Sequence, residues 1–186
     1  FHYSEFEFAA MERDIDHLKH AGIAGVVLGI LNLDGSIDRE RTRELVKRAR
    51  PLATTFHRAF DLTCDPFEAL ETLIDLGVQR VLTSGQQATA AEGVALIREL
   101  QHRSQGRIVV MAGGGIRETN VRALVRQTGI TEVHINATGT GESLMRFRNP
   151  RVRLGKPAPP SEYTTAAAAA DRIRGCLEAW ANRGVE

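Results

Sequence analysis

The residues best suited to chemistry gather in one stretch, Thr54-Thr55-Phe56-His57-Arg58-Ala59-Phe60-Asp61. Histidine changes protonation near neutral pH, so His57 suits general acid or base work. Beside it, Arg58 can fork onto a carboxylate or phosphate, and Asp61 can orient either neighbour. A second stretch, Ala112-Gly113-Gly114-Gly115-Ile116, carries three consecutive glycines. Such a run lets backbone approach a ligand closely and turns N–H groups toward an anion. Thr83-Ser84-Gly85 offers a hydroxyl and another glycine for the same task. In Glu132-Val133-His134-Ile135-Asn136-Ala137, alternation sets His134 and Asn136 on the face opposite Val133 and Ile135. The candidate catalytic and positioning groups are therefore His57, Arg58, Asp61 and His134. The candidate anion-binding groups are Ser84, Gly85, Gly113, Gly114 and Gly115.

Other residues invite chemistry less. Asp14, His17 and His20 fall on one helical stretch, where a solvated face explains them. Cys64 follows the His57 segment closely enough to be a minor candidate, and Cys176 reads as a packed helix residue. Asn136-Ala137-Thr138 matches a glycosylation pattern, but at an expected strand end the match is chance. No ligand set for a metal is identified.

Five short apolar runs position these residues: Gly25–Ile30, Ala53–His57, Arg80–Thr83, Arg107–Met111 and Glu132–Ala137. Their starts lie 25 to 28 residues apart, and helical patterns fill the intervals. Asp65-Pro66-Phe67-Glu68 supplies an N-cap, a first-turn proline and an acid at capping-box spacing. Thr89 and Glu92 repeat that spacing, a helix is expected from near Glu118, and Gly77 and Gly129 close two helices. A leading helix, Ser4 to Ala21, sets Phe8, Met11, Ile15 and Leu18 on one face.

Strands alternating with helices at this interval mean parallel βα units. Such strands are buried on both faces, and Val26-Val27-Leu28 and Ile108-Val109-Val110 read that way. The glycine cluster follows the fourth visible strand, and no GxGxxG or P-loop spacing occurs. That placement favours an α/β fold of the parallel β/α (TIM-type) barrel kind over an open doubly wound sheet. Eight units at this interval need about 216 residues. The chain therefore reads as a fragment: one partial barrel domain, 1–186, of about five C-terminal units plus the leading helix. A basic, proline-containing loop is expected over 143–160 and a closing helix over 161–183, with Ala166 to Ala170 as helix-favouring sequence.

Composition fits an ordinary globular chain: 186 residues, 42% hydrophobic and 25% charged, with a formal net charge of +1. That balance argues against general affinity for nucleic acid or membrane surfaces. The segment Arg146, Arg148, Arg151, Arg153 is read as a solvated loop. No run approaches the ~18 apolar residues of a membrane span. Two cysteines 112 positions apart do not make a disulfide framework, and a cytoplasmic setting is expected. The expected partner is a small-molecule or anionic ligand. Five parallel strands with two free edges invite association, homo-oligomers included.

The segment Thr55–Asp61, with Val81-Leu82-Thr83-Ser84-Gly85, Ala112–Ile116 and Asn120-Val121, resembles the CutC family, named for copper homeostasis. Asp34-Gly35, Asp38, Arg41, Met145-Arg146-Phe147-Arg148-Asn149 and Glu162-Tyr163 extend the resemblance from Tyr3 to about Asp171. It implies a complete or near-complete barrel, which this chain enters in the loop after the third strand. It also implies copper as the cofactor or cargo, although Cu(I) prefers thiolate and thioether ligands. The cysteines Cys64 and Cys176 and the methionines Met11, Met111 and Met145 show no CxxC or MxxM spacing. Three functions stay open: copper handling, an isomerase, epimerase or lyase acting on a phosphorylated or carboxylated metabolite, and a non-catalytic anion-binding barrel. In the enzyme reading His57 moves a proton, Arg58 and Asp61 position the substrate, and His134 assists.

Overall fold

The computed structural model describes residues 1–152, 154 and 162–181. It opens with helix α1, Glu5–His20, whose N-cap Ser4 and Glu7 close a reciprocal capping box. Phe8 and Ile15 form its buried stripe, three- and four-residue spacing placing them together. The chain then alternates: β1 Gly25–Leu28, α2 Arg39–Ala49, β2 Ala53–Phe56, a 3₁₀ turn Arg58–Leu62, and α3 Pro66–Asp75. It continues through β3 Arg80–Thr83, α4 Val94–Ser104, β4 Val109–Gly113, α5 Val121–Thr128 and β5 Glu132–His134. Side chains cap as their types require: Asp38 accepts the Arg41 N–H, and Asp65 accepts those of Phe67 and Glu68.

The strands form one parallel sheet in the order β1-β2-β3-β4-β5. Register pairs Val27 with Thr55, Thr55 with Arg80, Arg80 with Val109, and Gly113 with His134. Val26, Leu28, Phe56, Val81, Val110 and Ala112 pack with Leu45, Leu70, Leu73, Ile97 and Leu124 of the helices into one core. Burial of this face is the main stabilising term.

The expectation of two buried faces is corrected here. Val27 is 66% exposed and Val109 only half-buried, because five strands make an open arc rather than a closed barrel. On that inner face Arg80 reaches across β4 to the Glu132 carboxylate on β5, in a two-pronged ion pair with Nη2 to Oε1 at 2.8 Å.

Element boundaries also move: β1 ends at Leu28 rather than Ile30, and β4 runs over Val109–Gly113 rather than Arg107–Met111. The Thr89/Glu92 box forms, but it closes a turn, and α4 starts five residues later at Val94. Helix α5 begins at Val121 rather than near Glu118, and β5 ends at His134 rather than Ala137. The closing helix changes most. Thr164–Ala168 is a strand, β7, antiparallel to β6 (Thr138–Glu142), and helix α6 runs only over Ala170–Ala181. Alanine's helix preference yields here to strand pairing with a partner some 25 residues away, a tertiary override that local propensity does not encode. Arg153, Lys156, Pro157, Pro159, Pro160, Ser161 and residues 182–183 of those expected segments lie outside the described residues.

Candidate functional site

The end of β2 turns directly into the 3₁₀ turn, which sends His57, Arg58 and Asp61 in three directions. Asp61 points back under the mouth of the sheet, with its side chain 6% exposed. Its carboxylate accepts from Arg58 Nε at 2.6 Å, Thr83 Oγ1 at 2.5 Å, the Ser84 N–H at 3.0 Å and the Gln86 N–H at 3.2 Å. It is a clamp joining the β2 and β3 loops, with its lone pairs spent on protein donors.

Ser84 belongs to that clamp. Fully buried, its Oγ accepts from Arg58 Nη2 at 2.6 Å and lies 2.6 Å from the Gln87 carbonyl and 2.9 Å from Asp61. Gly85 abuts the backbone of Gly93, and Gly113 lies between Leu82 and His134 on the inner face. None of these three lines the open pocket at the mouth.

With Nε and Nη2 held, the remaining Arg58 nitrogen is aimed. A Cβ at Gly114 would sit 3.2 Å from Arg58 Nη1, so glycine is what lets the guanidinium lie over this loop. Gly114 also has φ +100°, a backbone region that side chains disfavour. The loop is fastened from behind: the Gly114 carbonyl accepts from the Ala90 N–H, and the Gly115 carbonyl from Asn120 Nδ2, both at 2.9 Å. Asn120 Oδ1 in turn accepts the Arg117 N–H.

Arg58, Gly114, Gly115 and His134 thus share one mouth pocket of about 470 Å³, which Ile116, Arg117, Asn136, Thr138 and Arg172 also line. Sequence reasoning missed Arg117, Thr138 and Arg172. Thr138 is held by an Asx turn, its N–H and hydroxyl both donating to Asn136 Oδ1. That turn was readable in the sequence. Arg172 donates from Nη1 to the Thr138 carbonyl at 2.6 Å, and it reaches the pocket only because β7 shortens the last helix.

His57 stands elsewhere. It lines a second pocket, of about 390 Å³, on the inner face beside Tyr3, Asp14, Val27 and Gly29. Its ring lies against Gly29, where a Cβ would come within 2.5 Å of Cε1, and against the Phe1 ring at 4.7 Å between centroids. Nδ1 accepts the Ala59 N–H at 3.1 Å. That bond leaves the proton of the neutral ring on Nε2, and burial pushes the ring's pKa below the ordinary histidine value. His57 is therefore fitted to donate a hydrogen bond from Nε2 rather than to take a proton. Tyr3 lines the same pocket, and burial raises its phenol above the usual tyrosine value. The two histidines expected to act together line separate pockets.

No cluster of three or more His, Cys, Asp or Glu side chains fit to hold a metal occurs among the described residues. Cys64 is exposed in a pocket with Arg39 and Asp65, whereas Cys176 is buried on the inner side of α6 beside Val133 and Trp180. Met11 is on α1, Met111 on β4 and Met145 in the loop after β6. These donors do not fit a soft-metal site. No described helix is long and apolar enough to cross a membrane.

A sequence model of the CutC family matches residues 1–139. The copper homeostasis protein cutC homologs of mouse and human are each 45% identical to this chain over 174 residues. The match covers 94% of the chain and 64% of those relatives, so the chain spans less than two thirds of their length. A CutC family protein from Parabacteroides distasonis is 43% identical, with 94% of the chain and 72% of the relative covered. Among solved structures, the CutC protein from Streptococcus agalactiae superposes with a TM-score of 0.69 at 30% identity, over 72% of this chain and 65% of that one. A structure titled native KDPGal superposes with a TM-score of 0.56 at 16% identity, over 92% of this chain and 65% of that one, a likeness of fold alone. Taken with the His57–Asp61 and Gly113–Gly115 segments at the ends of β2 and β4, these matches place the chain in the CutC family.

Proposed function

We propose that this protein serves copper homeostasis in the cytoplasm, the role that the names of its mouse and human relatives give to them. The observation that carries the reading is 45% identity sustained over 94% of the chain. The soft donors among the described residues are scattered over separate elements and do not fit a copper site, so the role proposed for this chain is in copper tolerance, with no copper ligand assigned among these residues. The test is growth of cells deleted for their own CutC gene, with and without this chain, across a copper series. Restored tolerance is the expected result. Equal sensitivity with and without the chain, at matched expression, overturns the reading.

A second reading is favoured by one observation, the aimed guanidinium of Arg58. The mouth is then a ligand site for a small anionic metabolite, on which an isomerase, epimerase or lyase, or a simple binder, would act. Arg58 grips the anion, Asp61 holds Arg58 in place, Gly114 and Gly115 give the anion room, and His134 faces it. Ser84, Gly85 and Gly113 serve as the loop framework behind the ligand. His57, across the sheet end, supplies a neutral hydrogen-bond donor to a ligand long enough to reach the inner face. Product formation lost in His57→Asn, with ligand binding kept, separates an enzyme from a binder.

A further inference from the structure

We propose that the mouth pocket is a binding site for the phosphate group of a small phosphate monoester, an inference that rests on the anionic-ligand reading above. Among the described residues, three that bear a guanidinium, Arg58, Arg117 and Arg172, line the pocket, and none that bears a carboxylate does. The charge of Arg58 is answered on its far side by Asp61, yet its Nη1 has no acceptor among the described residues and faces the Gly114 loop. Arg117 is exposed and its side chain makes no ion pair or hydrogen bond among the described residues. Arg172 spends Nη1 on the Thr138 carbonyl, which orients the guanidinium without neutralising it. The carbonyls of Gly114 and Gly115 are both turned away and bonded, while no acceptor among the described residues takes their N–H groups.

The chemistry of this donor set selects its ligand. Guanidinium groups from the turn after β2, from the β4–α5 loop and from α6, with two backbone N–H groups of that same loop, offer an anion donors from three segments. A planar monocarboxylate uses one fork, whereas a tetrahedral dianion presents three oxygens to separate donors. The volume of about 470 Å³ exceeds what inorganic phosphate fills and falls in the range of small-molecule sites. The ligand is therefore a phosphorylated metabolite of sugar-phosphate size, its phosphate at the Gly114 loop and its organic part toward His134.

The test is calorimetric titration of the whole 186-residue chain at low salt with inorganic phosphate, ribose 5-phosphate, ribose and malonate. Saturable binding of ribose 5-phosphate tighter than of inorganic phosphate, with none by ribose, is the expected pattern. Arg117→Gln and Arg172→Gln are each expected to weaken it about tenfold, as loss of a charge-assisted hydrogen bond does. Arg98→Gln, a helix residue outside the pocket, leaves it unchanged and controls for net charge. Equal binding of ribose and ribose 5-phosphate, or no effect of Arg117→Gln and Arg172→Gln, overturns the proposal. Binding of malonate alone overturns the phosphate assignment while the anionic mouth stands. Binding of none of the four overturns both.

Discussion

Arg58 gives its Nε to the Asp61 carboxylate at 2.6 Å, and that ion pair decides where the rest of the guanidinium points. The pair is unequal, with Arg58 41% exposed and Asp61 6%. Asp61 is the fixed member and Arg58 the presented one.

Replacing the fixed member should therefore cost more than replacing the presented one. Asp61→Ala strands the Thr83 hydroxyl and the Ser84 and Gln86 N–H groups. Leaving such buried donors unpaired costs about 3 kcal/mol together. Arg58→Gln takes the counter-charge from a carboxylate that keeps its Thr83, Ser84 and Gln86 donors, and should cost about 1–2 kcal/mol while abolishing anion binding. Denaturant melts of both variants, beside ligand titration, give the comparison. Equal destabilisation would show that Asp61 is no clamp.

His57 makes stability depend on pH in a stated direction. Burial holds its folded pKa below the ordinary value, so in mildly acid solution the unfolded chain binds a proton that the folded chain refuses. Its contribution is complete above the unfolded histidine value of about 6.5 and is lost as pH falls through the lower folded value. The melting temperature of the wild type should fall more steeply below pH 6.5 than that of His57→Gln, by a few degrees. Nitrogen NMR should find the proton of the neutral ring on Nε2. Parallel melting curves, or a proton on Nδ1, would contradict the Ala59 bond.

The Arg80–Glu132 pair behaves as a carboxylate case. Its hydrogen bond to Arg80 holds the Glu132 carboxyl below the usual range, so its support is present above the unfolded glutamate pKa and fades as pH drops past it. Both side chains are about a third exposed, which limits the value to about 1 kcal/mol. Glu132→Gln should lose that amount at pH 7 and nothing at pH 3. An equal loss at both values would mean that packing, not charge, is what the substitution removes.

Strand positions were legible because each βα unit repeats the same physical statement: an apolar β-branched run, a turn residue, a capped amphipathic helix. Val26, Leu28, Phe56, Val81 and Val110 follow from that pattern alone. Val27 did not, since its exposure depends on what covers the inner face, which no local window carries. Arg58, Gly114 and His134 were legible as candidates, and they meet in one pocket. The separation of His57 from them was not, because side chains one position apart at a strand end diverge once the next residue enters a 3₁₀ turn. Arg172 was hidden by the alanine run. Only the pairing of Thr138–Glu142 with Thr164–Ala168 fixes where α6 starts.

That hairpin gives the mouth pocket an unusual span along the chain. Arg58 comes from the end of the second strand and Arg172 from the far side of β6 and β7. An occupant touching both acts as a tether between the sheet and the last helix, and by mass action it stabilises that docking in proportion to its occupancy. Protection of strands β6 and β7 from a protease then becomes a gauge of ligand concentration, readable on a gel with no knowledge of the reaction.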